Sequence, residues 1–74
     1  MGEIIKFVIK EKIGTLSQSI KGWSKEFNLV SWNDGDPKYD LREWDPKHEK
    51  MGKGITLTVD EVKRLKEILN GLDI

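Results

Sequence analysis

The 74-residue chain has no cysteine, one histidine and two prolines. Without cysteine no disulfide can close a loop, and the single His48 leaves no His/Cys set for structural zinc, so zinc ribbons and fingers are excluded. No apolar run approaches the roughly 20 residues that span a bilayer, and the opening MGEIIKFVIKEK carries charge inside any would-be signal core. This predicts a soluble, unprocessed protein of the cytoplasm, with association with the nucleoid left open. An excess of either charge is missing too: 13 Lys plus Arg stand against 13 Asp plus Glu. Simple basic nucleic-acid modules neutralise phosphates with a surplus of cations, so this balance argues against one. A chain of this size forms one domain, 1–74, and buries only about 60% of the surface its unfolded form exposes. Oligomerisation is therefore expected.

What is present reads as strands followed by one helix, an α+β chain. Gly14, Gly22, Gly35 with Pro37, Pro46 and the Gly52/Gly54 pair punctuate residues 4–57 into short segments. Ile5, Phe7 and Ile9 alternate with Lys6, Val8 and Lys10, which predicts a strand from Ile4 to Ile13 that bends at Gly14 and continues over Thr15 to Ile20. Residues 23–32 place Trp23, Phe27 and Leu29 on one face and Asn28, Val30 and Trp32 on the other, a strand with apolar neighbours on both sides. The Asp-Gly of NDGDP at 33–37 predicts a hairpin to Lys38–Trp44, and a short strand over Ile55–Leu57 closes the sheet. Thr58-Val59-Asp60-Glu61 forms a capping box with Leu57 and Val62 as a hydrophobic staple. Val62, Leu65, Ile68, Leu69 and Leu72 recur at helical spacing, and Gly71 sits where a left-handed residue would end the helix. The predicted helix spans Val59 to Asn70.

Catalysis has little to stand on, and the chain reads as a non-enzyme without metal or cofactor. His48, in DPKHEK, reads as a solvated loop histidine, because no nucleophile or metal partner accompanies it. MGKG at 51–54 lacks the spacing and the Ser/Thr of a P-loop. The stronger pattern is cations interleaved with aromatics: Lys38, Arg42 and Trp44 share one parity of a strand, and Trp32 lies on the strand paired with it. Single-stranded nucleic acid is bound by these components, a cationic track for the backbone and flat rings for unpaired bases. A tryptophan in a small domain is as readily core as platform. Trp44 departs from the core reading, since a face carrying Lys38, Asp40 and Arg42 is not expected to be a core face.

The segment KYDLREWDPKHEKMGKGITLTVDEVKRLKEIL resembles the C-terminal single-stranded-DNA-binding domain of the positive cofactor 4 family of transcriptional coactivators. The matching stretches are Asp40-Leu41-Arg42-Glu43-Trp44, Asp45-Pro46 and Lys53-Gly54-Ile55-Thr56-Leu57 followed by the capped helix. The upstream KGWSKEFNLVSWN is similar to the bacterial YdbC-like branch. The match covers 38–69 by motif and 4–33 by element order. It implies a curved four-stranded antiparallel sheet followed by one helix, and a homodimer formed through helix 59–70 and sheet edges. The implied partner is single-stranded DNA, with RNA left open. Arg42 and Lys53 fall on family positions that contact phosphates and Trp44 on the aromatic that stacks with a base, while only one aromatic follows Arg-Glu where eukaryotic members have two. The expected interface is Lys25, Lys38, Arg42 and Lys53 on phosphates, Lys10 or Lys50 assisting, and Trp32 and Trp44 on bases. The rival reading is a protein-interaction module that uses the tryptophan face or an exposed strand edge.

Overall fold

The computed structural model describes residues 5–74, so the expected strand start at Ile4 lies outside the described residues. Four antiparallel strands, β1 (Phe7–Gln18), β2 (Ser24–Trp32), β3 (Lys38–Trp44) and β4 (Met51–Leu57), form a sheet in the order β1-β2-β3-β4 and precede the helix α1 (Val59–Asn70). The α+β architecture and the helix bounds agree with the sequence reading. Gly14 does not divide β1. Three register shifts, between Ile9 and Glu11, Lys12 and Gly14, and Thr15 and Ser17, absorb the bend instead. Bulges of this kind bend a strand and increase its twist.

The resulting sheet is rolled. Phe7 pairs with Trp32 at one end of β2 and Trp44 pairs with Ser24 at the other, a separation of roughly 26 Å along a flat strand. Yet the Phe7 ring lies 5.0 Å from Trp44 and 6.1 Å from Trp32. The face that carries these rings therefore closes on itself and forms an interior. Along β2 that interior row is Ser24, Glu26, Asn28 and Val30, all buried, and along β3 it includes Asp40 and Trp44, both with no exposed surface. The opposite face carries Phe27 stacked on Tyr39 at 5.6 Å, with Leu41 beside them, and receives α1.

Two turns differ in detail from expectation. The hairpin after β2 turns on Asn33 and Asp34, both at positive φ, with the Gly35 amide donating to the Trp32 carbonyl at 2.8 Å. The turn thus sits one residue earlier than Asp-Gly. At the end of α1, Gly71 has φ −88°, right-handed rather than left-handed, and its amide donates to the Ile68 carbonyl in a tighter last turn. The capping box is complete: the Glu61 amide donates to Thr58 Oγ1 at 3.1 Å and the Thr58 amide to Glu61 Oε1 at 2.8 Å.

β4 is longer than the expected Ile55–Leu57, because the glycines at 52 and 54 lie inside it. A Cβ at Gly54 would collide with the Cα and Cβ of Arg42 and the carbonyl of Leu41. Glycine there lets the two strands approach closely across Arg42, a use of glycine in a strand interior that a loop assignment overlooks.

Candidate nucleic-acid interface

The rolled face brings Trp32, Arg42 and Trp44 into one cluster. The Arg42 guanidinium lies over the Trp32 ring, 4.9 Å from its centroid, a cation–π geometry. It is also clamped by Asp40: Nε donates to Oδ2 at 2.6 Å and Nη2 to Oδ1 at 2.9 Å, while Thr56 Oγ1 donates to Oδ1 at 3.1 Å. A third donor, on Nη1, reaches the Met51 sulfur at 3.6 Å. Arg42 is thus neutralised inside the protein, with 15% of its side chain exposed.

The expectation that charge keeps the Trp44 face out of the core is corrected for residues 40–44. Trp44 is fully enclosed, one side against Phe7 and another against His48, whose ring stacks on it at 5.9 Å and 25°. Asp40 and Arg42 do not prevent this, because they cancel each other within the interior. Trp32 is half-buried. The indole N–H groups of both tryptophans and the Asn28 Oδ1 are enclosed without a hydrogen-bond partner.

The five lysines of the expected interface are all exposed, and among the described residues none lies within ion-pair distance of a carboxylate. They do not converge on one track. Lys38 extends the interior row of β3 at its exposed end, Lys25 lies opposite Glu43 on the helix face, Lys10 sits at the first irregularity of β1, Lys53 opposite the β3 irregularity, and Lys50 in the loop before β4. Lys12, which composition alone did not single out, is exposed on β1 in register with Asn28. It therefore borders the rolled face.

His48 is not a solvated loop residue. Its Nε2 lies 2.8 Å from Glu26 Oε2; Glu26 also accepts from Ser24 Oγ and, at 3.0 Å on Oε1, from Asn28 Nδ2. Burial pushes the Glu26 carboxyl up, but these hydrogen bonds and the charge of His48 outweigh it and hold the carboxyl below its ordinary 4.5. The sequence signal for this network is a polar residue at every second position, Ser24, Glu26 and Asn28, in a strand otherwise rich in Trp, Phe and Val. The loop over 45–50 that carries His48 is braced by Asp45, whose Oδ1 accepts the amides of Glu49 and Lys50 at 2.7 and 2.9 Å. Those backbone bonds, from Lys50 first, hold the Asp45 carboxyl below its usual value. A carboxyl with a depressed folded value stabilises the fold above its unfolded pKa and loses that contribution as pH falls through the folded one. Stability should therefore decline below about pH 4.5, and the decline should be shallower in Glu26→Gln. Urea midpoints measured from pH 6 to pH 3 check this; parallel declines in the two proteins would contradict it.

Among the described residues no group of three His, Asp or Glu side chains is placed to hold a metal ion, and no helix is long and apolar enough to cross a membrane. Residues 19–68 match the family described as Transcriptional Coactivator p15 (PC4). The chain is also 49% identical over 61 residues to an uncharacterized protein of Treponema pallidum (strain Nichols), a match that covers 82% of this chain and 72% of that protein.

Proposed function

The chain belongs to the transcriptional coactivator p15 (PC4) family, and from this we propose that it binds single-stranded DNA with little sequence preference, in transcription, replication or repair. The supporting observation is the distribution of charge that the neutral total conceals. The carboxylates of Asp40 and Glu26 are spent internally on Arg42 and on Ser24, Asn28 and His48, whereas Lys10, Lys25, Lys38, Lys50 and Lys53 remain exposed without ion-pair partners among the described residues. Phosphates then meet the lysines that border the rolled face, Lys38 at the end of its interior row foremost, and bases meet the half-buried Trp32. Because every base has a π face, stacking of this kind is tolerant of sequence.

Titration of labelled oligo-dT at several salt concentrations tests the reading. Each neutralised phosphate contributes about −0.7 to the log–log slope, and Lys38→Ala should flatten the slope by about that amount. Absence of binding at low salt, or duplex bound as tightly as single strand, refutes it. An RNA oligonucleotide in the same series decides between the two nucleic acids.

The working unit on this reading is a homodimer. α1 buries none of its residues fully. Its apolar stripe borders a groove of about 620 Å³ lined by Leu16, Phe27, Leu41, Val62, Leu65 and Leu69, and Ile68, Leu69 and Leu72 remain about half exposed. A second copy would cover this stripe across a two-fold axis. Light scattering at micromolar concentration should give twice the chain mass, and Leu69→Asp should shift it toward one. A single-chain mass for the unaltered protein refutes the dimer.

A further inference from the structure

We propose that His48 fills, from within the chain, a subsite for one unpaired guanine, and that Glu26 is the residue that reads that base. The inference rests on the single-stranded DNA reading and adds to it a position of base preference.

The imidazole of His48 makes the two contacts that an unpaired base makes in a recognition pocket. It is a flat ring stacked on an aromatic, Trp44, at 5.9 Å and 25°, and its edge meets a side-chain acceptor, Glu26 Oε2, at 2.8 Å. The Glu26 carboxyl is held below its ordinary value. Ionised, it only accepts hydrogen bonds, so Nε2 carries the proton and donates. His48 reaches this position with φ 57°, in the left-handed region, where a residue with a side chain is uncommon. The Asp45 carbonyl accepts its amide at 3.0 Å and so fixes the turn.

Beside the ring lies a polar cavity of about 300 Å³, with Ser24 and Glu26 among its lining, Thr15 and Gln18 contributed by β1, and Pro46 and His48 by the loop. It offers room into which the imidazole can move or into which a base can enter. Displacing His48 also uncovers the face of Trp44 on which it stacks, which is how a ring with no exposed surface in the free chain becomes a platform.

The hydrogen-bond inventory of Glu26 selects the base. A carboxylate has about four acceptor positions, two on each oxygen. Oε1 accepts from Asn28; Oε2 accepts from Ser24 and His48. Once His48 leaves, each oxygen has one position open. Two adjacent acceptors match two adjacent donors, and among the four DNA bases only guanine presents these on its Watson–Crick edge, N1–H beside the N2 amino group. Cytosine and adenine place a ring-nitrogen acceptor beside their single amino group, and thymine flanks its one N–H with carbonyl oxygens. Each would face the carboxylate with a repelling lone pair.

The test is competition among dT tracts that carry one central dG, dA, dC or no replacement, against the unaltered protein, Glu26→Gln and His48→Ala. The unaltered protein should bind the dG tract about tenfold more tightly than all-dT, the scale of one good bidentate base contact. Glu26→Gln should bring the two tracts to equal affinity. His48→Ala keeps the reading carboxylate but removes its internal competitor, so it should widen the gap between dG and dT. Equal affinity of the unaltered protein for dG and dT tracts overturns the guanine subsite and leaves general binding standing, whereas failure to bind any tract refutes the underlying single-stranded DNA reading. If Glu26→Gln does not fold, His48→Ala decides: an unchanged or narrower gap overturns the proposal.

Discussion

Trp44→Ala should cost the fold about 3–5 kcal/mol, the usual range for deleting a large buried aromatic. For a domain of this size the whole stability is roughly 4–11 kcal/mol, so the variant should melt far below the unaltered protein and be partly unfolded at room temperature. The reason is position rather than composition. Trp44 has no exposed surface, packs against Phe7 at 5.0 Å and supports the His48 ring. Its removal opens the centre of the rolled face, where its ring joins the β3 end to Phe7. Oligonucleotide affinity should fall in step with the folded fraction. Denaturant unfolding followed by far-UV circular dichroism checks the expectation. An unmoved midpoint together with weakened binding would instead identify Trp44 as a surface platform in the free protein.

That result would bear on what the sequence could convey. The start and span of the helix were legible, because a capping box, a staple and a 3.6-residue apolar period all lie within sixteen consecutive residues, 57–72, and need no distant partner. β3 was legible to its ends for a similar reason, bounded by a turn on one side and Asp-Pro on the other. Sequence pattern alone shortens β4 to Ile55–Leu57, because Gly52 and Gly54 look like punctuation between elements. The feature that makes Gly54 a strand residue is the closeness of Arg42 across the pair, and that is a property of two segments together. The burial of Trp44 is not legible, because alternation assigns faces without saying which face is inside. In a flat sheet the row of Lys38, Asp40 and Arg42 would be wet, and Trp44 with it. The irregular register of β1 and the roll it accompanies turn that row inward, and the charge is tolerated since Asp40 clamps Arg42 two residues along the same strand. The role of His48 is hidden for the same reason. Its partner Glu26 is 22 positions away, and only the roll brings the loop over β2.

Asp40→Asn is the substitution that should separate stability from binding. Asp40 is fully buried and accepts three hydrogen bonds, two from Arg42 and one from Thr56. An amide of the same shape keeps one acceptor, turns two donors toward a guanidinium, and leaves that guanidinium without a counter-charge. Removing one partner of a buried ion pair costs about 3–5 kcal/mol, and the 15% exposure of Arg42 places this case near the lower end, at about 3 kcal/mol. The same change releases the charge that the pair had neutralised. Arg42 already lies over Trp32, beside the half-buried ring on which a base would stack, so the freed guanidinium can meet the adjoining phosphate. The variant should therefore unfold at lower denaturant while its salt slope for oligo-dT steepens by about 0.7. Replacing both members, as Asp40→Asn with Arg42→Met, should recover much of the stability, since it leaves no unpaired buried charge, and should return the slope to that of the unaltered protein. If Asp40→Asn lowers stability without changing the slope, Arg42 serves the fold alone and the phosphate contacts belong to the lysines. If neither quantity moves, the clamp is not what makes this charged row compatible with an interior.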